Sequence, residues 1–319
     1  MDVSPVFAGV KTSRRIMQLT TCDQNGHLAG KTVVITGAGN GLGRDYALAC
    51  ARHGAAVVVN DFGSDVSGRS AGARGAAAKV AQEVVDAGGQ AVSHHGNVVD
   101  PSCGEELVKL AVDSFGRIDA LVNNAGIVRD SPFLDMSMED FDSVLDVHLR
   151  GTVRVTQPVY RHMVESGHGG VVVNTTSRSG LRGKRDGANY AAAKAGIVGF
   201  SNVLALEGAE HGVRVWTISP RAATRAWGEV ETTSSGPMRP EFFERFPMDA
   251  VSQALVWMIS DLSAPNTGRV VFASAEAVHE VRWDAALPFV ADASVDAGAF
   301  ADAAAQGRVL FPDDARSWI

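Results

Sequence analysis

The sequence predicts an α/β fold in one domain, built on a doubly wound parallel sheet of seven strands with helices on both faces. From Lys31 onward, short apolar runs alternate with longer amphipathic segments, which is typical of βα units. Seven such runs fall within about 245 residues, and parallel neighbours require a crossover between them. A chain of 319 residues that is 45% hydrophobic and 20% charged can bury a core of this size.

The strand candidates follow one another along the chain. The first, 32–36, runs directly into a glycine-rich turn and the helical segment RDYALACARHG. The second, 56–61, ends at Asp61 before a surface loop over 62–75 that is rich in Gly and Ser. The others are 91–96, 118–123, 170–176, 213–219 and 269–273, and long helices are expected at 138–165 and 189–211. The irregular stretch 222–240 follows a strand end, where such sheets bind ligands, and is a lid candidate.

This pattern divides the chain into an N-terminal extension (1–29), the folded domain (30–275) and a C-terminal tail (276–319). We expect the tail to pack on the core or on a neighbouring subunit. The basic residues near the N-terminus precede too short an apolar run for a signal peptide, and no apolar stretch is long enough to span a membrane. The C-terminal Ser317-Trp318-Ile319 is not a peroxisomal address of the S-K-L kind. The sequence therefore predicts a cytoplasmic protein without membrane contact.

Charge and cysteine content exclude other classes of site. The formal net charge of −7 leaves no excess of positive charge for a phosphate backbone, which argues against nucleic acid as the main partner. The cysteines, Cys22, Cys50 and Cys103, are too few and too widely spaced for a disulfide framework or a metal site. We predict no bound metal and a small-molecule partner.

The glycine-rich segment after the first strand predicts a dinucleotide site and a Rossmann-type sheet. Thr36 to Gly43 reads TGAGNGLG and opens a helix, where backbone N–H groups and the helix dipole can hold a diphosphate. Asp61 follows Gly43 by 18 residues, near the expected place for the acid that binds the adenosine ribose. A carboxylate there would repel a 2′-phosphate, so NAD is favoured over NADP. Arg44 and Arg69 are the residues that can overturn this preference.

A tyrosine and a lysine lie four residues apart in ANYAAAKAGIVGF, as Tyr190 and Lys194. This run predicts a helix, so both side chains project from one face. A lysine ammonium close to a phenol lowers the phenol pKa, and Tyr190 can then act as a general base toward an alcohol. Taken alone, such a pair is more often two surface neighbours on a helix.

Three features together change that interpretation. The chain has TGxxxGxG at 36–43, NNAG at 123–126, and Ser177 thirteen residues before Tyr190-x-x-x-Lys194. In this set it resembles the classical short-chain dehydrogenase/reductases. The resemblance implies that Ser177 hydrogen-bonds the substrate oxygen, that Tyr190 is the acid/base, and that Lys194 holds the nicotinamide ribose. With the motif, it assigns cofactor contacts to Gly37, Asn40, Gly41, Leu42, Gly43, Asp61, Phe62, Asn97, Val98, Asn124, Ala125, Gly126, Tyr190, Lys194, Pro220, Ala223 and Thr224.

Within that family, NDFGSDVSGRS, NAGIVRD, VHLRG and ANYAAAK are similar to the dehydrogenase part of the type 2 peroxisomal multifunctional enzymes. Those proteins oxidise (3R)-3-hydroxyacyl-CoA and some 17β-hydroxysteroids. The resemblance implies an oxidoreductase that interconverts a secondary alcohol and a ketone, with a 3-hydroxyacyl-CoA as candidate substrate. A hydroxysteroid or a cyclic secondary alcohol is the alternative. A catalytically idle NAD-binding scaffold or sensor is the alternative of a different class. The family also implies a homodimer or homotetramer.

Two positions depart from the family pattern. His148 stands where most classical members carry the Asn that helps to hold a water in the proton path, and it is kept as a fourth catalytic candidate beside a purely structural role. Pro220-Arg221 replaces the usual Pro-Gly after the sixth strand. This replacement puts the local loop geometry, and with it the assignment of Thr224, in doubt.

Basic and aromatic residues flank the catalytic motif. The basic set can receive anionic substrate groups such as the phosphates of CoA, or it can be a solvated loop. The aromatic set can line an apolar pocket, or it can serve only to pack a lid on the core. The basic residues are Arg178, Arg182, Lys184, Arg185, Arg221 and Arg225, and the apolar ones are Trp227, Phe242, Phe243, Phe246 and Met248.

Overall fold

The computed structural model describes residues 25–70, 75–224 and 244–282. The predicted N-terminal extension, lid and C-terminal tail lie largely outside these ranges, as do Arg225, Trp227, Phe242 and Phe243. In the described residues the helices are α1 (Gly41–Arg52), α2 (Ala76–Asp86), α3 (Cys103–Phe115), α4 (Met138–Leu145), α5 (Gly151–Glu165), α6 (Arg178–Arg182), α7 (Ala188–Gly208) and α8 (Asp249–Ile259). The strands are β1 (Thr32–Thr36), β2 (Ala56–Asn60), β3 (Gln90–His94), β4 (Ala120–Asn123), β5 (Gly170–Thr175), β6 (Val213–Arg221), β7 (Arg269–Ser274) and β8 (Val278–Val281).

The strands form one sheet in the order β3-β2-β1-β4-β5-β6-β7-β8. The seven predicted strands are all present, are all parallel, and begin and end within two residues of the predicted bounds. The count of seven was one too low, because β8 pairs antiparallel with β7 at the sheet edge. The residues of β8 are mostly exposed, so its sequence VHEV has no pattern of buried apolar residues that would predict a strand. Its backbone hydrogen bonds to β7 define it.

Two hydrophobic cores lie on the two faces of the sheet, because successive strand side chains point to opposite sides. Val33 and Ile35 of β1 join the core that packs against α1, α2 and α8. Val34, between them, joins the core that packs against α3 and α5. The same alternation repeats in β2 and β5, which is why these strands are continuous apolar runs in the sequence.

The predicted helix over 138–165 is present but contains a π-helical turn, Asp146–Arg150, between α4 and α5. A π turn inserts an extra residue into the helical repeat and is often found at functional sites. His148 lies in this turn. In the part of the chain that the structure describes, no helix is both long and apolar enough to cross a membrane.

The sheet order reverses between β1 and β4, since β2 and β3 lie on one side of β1 and the later strands on the other. In open parallel sheets, ligands bind at the carboxyl ends of the strands where the order reverses. This fold therefore places the glycine turn after β1 beside the segments that follow β4, β5 and β6.

Candidate active site

A cleft of about 1360 Å³ opens at the carboxyl ends of the strands. Ligand pockets are typically about 300–1,000 Å³, so this cleft has room for a dinucleotide beside a substrate. The sequence-predicted residues that line it are Gly37, Asn40, Gly41, Leu42, Gly43, Asp61, Phe62, Asn97, Val98, Asn124, Ala125, Gly126, His148, Ser177, Tyr190, Lys194, Pro220 and Thr224. Ala223 is the exception, because it does not line the cleft and its N–H donates to the Phe246 carbonyl at 2.8 Å.

The turn after β1 has the shape of a diphosphate cradle. Gly37 and Gly41 have φ of +62° and +53°, in the left-handed region that favours glycine. A β-carbon at position 43 would lie 2.1 Å from the Gly37 carbonyl oxygen, so only glycine fits there. Helix α1 then begins without a side-chain cap from Asn40 and without an acidic residue in its first turn. Its first N–H groups therefore suit an anionic ligand, and these residues fit a dinucleotide.

Asn124 holds this turn in place. Its side-chain amide donates to the carbonyl oxygens of Thr36 and Gly37 at 3.1 and 3.0 Å. The Thr36 hydroxyl accepts from the backbone N–H groups of Asn124 and Ala125 at 3.0 and 3.2 Å. From the sequence, Asn124 was expected to contact the cofactor and Thr36 had no role beyond the motif. Their hydrogen bonds join residues 88 positions apart, so no local sequence pattern predicts them.

Asp61 is fixed at the end of the cleft that follows β2. One carboxylate oxygen accepts from the Gly39 N–H at 2.7 Å, and the other accepts from the Gly63 N–H at 2.6 Å. Both cations that can favour a 2′-phosphate are paired elsewhere. Arg44 contacts Glu83 on α2 at 2.6 Å, and Arg69 contacts Asp140 on α4 at 2.7 Å. The partner of Arg44 could not be predicted from the sequence, because the folding of α2 beside α1 brings Glu83 to it.

The three catalytic candidates lie together after β5 and on α7. Ser177 precedes α6, and its hydroxyl accepts from the Ser179 N–H at 3.2 Å. Lys194 is buried, and its ammonium donates to the Thr175 carbonyl at 2.6 Å. The Lys194 Nζ lies 5.6 Å from the centre of the Tyr190 ring. The predicted helix thus brings both side chains to one wall of the cleft.

The pKa of the phenol differs from the sequence-based expectation. Burial raises the pKa of Tyr190 to about 12, and a hydrogen bond with Ser177 acts in the opposite direction. Burial also lowers the pKa of Lys194 to about 7. The expected lowering of the phenol pKa by the ammonium is wrong for this structure, because loss of hydration opposes the charged form of both groups.

His148 is buried against the same tyrosine. Its ring meets the Tyr190 ring edge to face with 5.1 Å between centres. Its Nε2 lies 2.7 Å from the Ile127 carbonyl oxygen, whereas Nδ1 is buried and has no partner among the described residues. Burial, together with the Lys194 charge, lowers the pKa of His148 to about 3. The imidazole is therefore neutral at physiological pH.

This shift predicts a pH dependence of stability that His148→Asn removes. The folded chain protonates His148 only near pH 3, whereas the ordinary pKa is 6.5, so the unfolded chain binds the extra proton between these values. The free energy of unfolding must therefore fall as the pH drops below about 6.5. Because one pKa unit corresponds to about 1.4 kcal/mol, the variant should lose about 2 kcal/mol less than the parent between pH 7 and about pH 5. Urea unfolding at both pH values measures the difference, and equal losses in the two proteins would contradict it.

A buried network of side-chain hydrogen bonds links the strands and helices that carry the site. The Asn123 side-chain amide donates to Thr156 on α5 and to the Asn174 side-chain oxygen on β5, both at 2.8 Å. Asn174 in turn donates to Ser201 on α7 at 2.9 Å. These bonds tie together the elements that carry the catalytic candidates. Only Asn123 was part of a recognised motif.

The far end of the cleft is basic and aromatic. Arg178, Arg182, Lys184, Arg221 and Phe246 line it, whereas Arg185 does not. Met248 packs against the core instead of lining the cleft.

The replacement of the usual Pro-Gly by Pro220-Arg221 lengthens strand β6. The strand continues through both residues, and both pair with β7. Thr224 still reaches the cleft beyond this longer strand.

Comparison with known proteins gives a consistent result. A family model described as short chain dehydrogenase matches residues 31–233. The peroxisomal multifunctional enzyme type 2 of Mus musculus is 41% identical over 258 residues, which cover 81% of this chain and 33% of that protein. The chain thus spans about a third of the length of that relative. A 3-oxoacyl-[acyl-carrier-protein] reductase of Synechocystis is 39% identical over 193 residues, covering 60% of this chain and 74% of that protein.

The fold has a close counterpart among solved structures. The crystal structure of a short chain dehydrogenase from Mycobacterium avium superimposes with a TM-score of 0.76 at 36% sequence identity. The match covers 90% of this chain and 98% of that one. Fold and sequence therefore lead to the same group of proteins.

Proposed function

Because the chain belongs to the short-chain dehydrogenase family of oxidoreductases, we propose that it is an NAD-dependent enzyme that interconverts a secondary alcohol and a ketone. One observation carries this proposal. Ser177, Tyr190 and Lys194 line the same cleft as the glycine turn after β1. A proton-transfer group and a dinucleotide cradle are thus exposed to one shared space, as hydride transfer requires.

The residues divide the chemistry in the following way. A nicotinamide bound in the cleft supplies the acceptor or donor of hydride. The Ser177 hydroxyl hydrogen-bonds the substrate oxygen. Tyr190 in its protonated form, which its raised pKa favours, donates its proton in reduction, and as the phenolate it takes the hydroxyl proton in oxidation. Lys194 holds the nicotinamide ribose from the floor of the site. His148 is neutral, so its contribution is to fix Tyr190 by edge-to-face packing and to offer Nδ1 as a hydrogen-bonding atom.

The cofactor we propose is NAD. Asp61 has both carboxylate oxygens bound by backbone N–H groups, so it cannot easily turn away to admit a 2′-phosphate. Arg44 and Arg69, which could attract that phosphate, are each neutralised by an acid. The ribose end of the cleft is therefore acidic and suits a free 2′-hydroxyl.

Replacing Asp61 by Asn should raise the ratio of kcat/KM for NADP to that for NAD by about 10-fold or more, because it removes a repulsive charge that is worth more than 1.4 kcal/mol at close range. The amide can still accept one of the two backbone hydrogen bonds. Steady-state kinetics with both cofactors measure the ratio. Asp86→Asn removes the same charge from an exposed position on α2 and should leave the ratio unchanged. An unchanged ratio in Asp61→Asn would refute the assignment.

The proposed substrate is a 3-hydroxyacyl-CoA, with a hydroxysteroid or a cyclic secondary alcohol as the alternative. The similarity to the mouse multifunctional enzyme and to an oxoacyl reductase supports an acyl thioester. Turnover of one member of each class at equal NAD concentration tests this choice. NAD binding without turnover of any of them would favour the idle scaffold.

We propose a homodimer or homotetramer that forms through α5 and α7. These helices expose Val153, Val203 and Leu206, while their opposite faces pack on the sheet. Apolar residues on both sides of a helix indicate a second burial surface. Light scattering in solution measures the assembly, and a monomer at micromolar concentration would contradict it.

The proposed location is the cytoplasm, which fractionation of the source cells tests.

A further inference from the structure

Three guanidinium groups gather at the end of the cleft that lies beyond Ser177. Arg178 follows Ser177 directly, Arg182 ends α6, and Arg221 ends β6. All three line the cleft, and we call them the arginine cluster. The chain as a whole has a net charge of −7, so this local excess of positive charge is not a property of the general surface.

Aromatic rings hold two of these guanidinium groups in place. The Arg221 Cζ lies 4.0 Å from the centre of the Phe246 ring, and the Arg178 Cζ lies 5.9 Å from that of Phe272. A guanidinium that rests on a ring face keeps its N–H groups at its edge free to donate to another partner. Two of the three guanidinium groups are therefore oriented before any ligand binds.

Among the described residues, two of the three arginines of the cluster lack the acidic partner that such groups usually have. In the described ranges, neither Arg178 nor Arg182 makes an ion pair or a hydrogen bond through its side chain, and the buried Nε of Arg221 has no partner. Glu276 lies 3.8 Å from Arg221 but is held by Arg245 at 2.5 Å. Burial lowers the pKa of Arg178, and the charges of Arg221 and Arg182 lower it further. Lys184 differs, because Asp130 compensates its charge.

We propose that the arginine cluster is a binding site for an anionic group of the substrate, either phosphate or carboxylate. The inference rests on the proposed function, since it places this group on the molecule whose hydroxyl meets Ser177 and Tyr190. The cluster is distinct from the diphosphate cradle, because the cradle follows β1 whereas the arginines follow β5 and β6. Strands lie about 4.8 Å apart, so two to three strands separate the two anion sites by roughly 10–14 Å.

Calorimetric titration of the full chain saturated with NADH tests the site, because saturation keeps adenine-containing probes out of the cofactor end and the reduced cofactor cannot oxidise a hydroxyl group of a probe. The probes are coenzyme A, which carries phosphates, 3-hydroxybutyrate, which carries a carboxylate, and pantetheine, which has no charge. At least one anionic probe should bind about 10-fold more tightly than pantetheine at low salt. Arg178→Gln and Arg182→Gln should each weaken that probe about 10-fold and leave pantetheine unchanged. The tighter of the two anionic probes identifies the substrate group.

Arg185→Gln is the matched control. It removes the same charge from the short connection that directly follows α6, but Arg185 is exposed and lies outside the cleft. An equal loss in this variant, or equal affinity for pantetheine and both anionic probes, would overturn the inference. Because binding is measured without turnover, either result is separate from a failure of the proposed function, which would appear as no NAD reduction with any secondary alcohol. Arg182 is exposed, so its variant should keep the fold even if that of Arg178 does not.

Discussion

Replacing Tyr190 by Phe is expected to lower kcat/KM for alcohol oxidation by about 10³-fold or more while NAD binding is retained. The ring stays in place against His148, but the hydroxyl that exchanges the proton is gone. The loss should be large because the Tyr190 hydroxyl is buried in the cleft and hydrogen-bonds Ser177, so bulk water cannot easily replace it as the proton donor or acceptor. Absorbance of NADH during turnover measures the rate, and fluorescence titration with NADH measures binding.

Tyr160→Phe is the matched control for that experiment. The Tyr160 hydroxyl is buried on α5 and has no hydrogen-bond partner in the described part of the chain, so its removal leaves no group unsatisfied. This variant should keep full activity. A Tyr190→Phe protein that retained a tenth of the parent rate would exclude Tyr190 as the acid/base.

The second large effect is expected from Gly43→Ala. The added methyl group would lie 2.1 Å from the Gly37 carbonyl oxygen and 2.6 Å from the Asn124 side-chain nitrogen. Both atoms belong to the braced turn, so relief of the clash must displace the diphosphate cradle. We expect the affinity for NAD to fall about 100-fold, which corresponds to about 3 kcal/mol, and activity at moderate NAD to fall with it.

Gly199→Ala provides the comparison for this substitution. Gly199 lies in α7, and a β-carbon there would meet no atom of its own chain within 4 Å. Alanine in a helix interior should stabilise the fold slightly and leave NAD affinity unchanged. Thermal unfolding of both variants distinguishes a displaced turn from a general loss of folding. Parent-like NAD affinity in Gly43→Ala would show that the cradle does not bind the diphosphate.

The fold was largely predictable because most of its strands are buried on both faces. Six of the seven parallel strands are short, mostly buried apolar runs, whereas β3 is partly exposed, and this pattern depends only on the residues of the strand itself. The strand β8 lacks that pattern, since its place is determined by hydrogen bonds to β7. The π turn around His148 was equally hidden, because it changes the spacing of backbone bonds without a distinctive residue type.

The site was predictable where motifs mark it and hidden where distant residues meet. Ser177, Tyr190 and the glycine turn lie at the ends of different elements, and the convergence of parallel strands brings them together. The pairing of Arg44 with Glu83 depends on the placement of α2 beside α1, which local sequence does not specify. The pKa of Tyr190 was also out of reach, since it depends on the depth of burial in the folded chain.

The π turn has a consequence for how this chain tolerates changes of length. A single helical rod that contains it can direct its first half toward the cleft wall and its second half toward the sheet. Removal of one residue there would restore the ordinary 3.6-residue repeat, because the π turn accommodates one extra residue, and would shift the side chains of the turn itself relative to the cleft. The His148 imidazole would then lose its contact with the Ile127 carbonyl, although no catalytic side chain had been replaced. Residue number within this short stretch is thus as restrictive as residue type at the reacting centre.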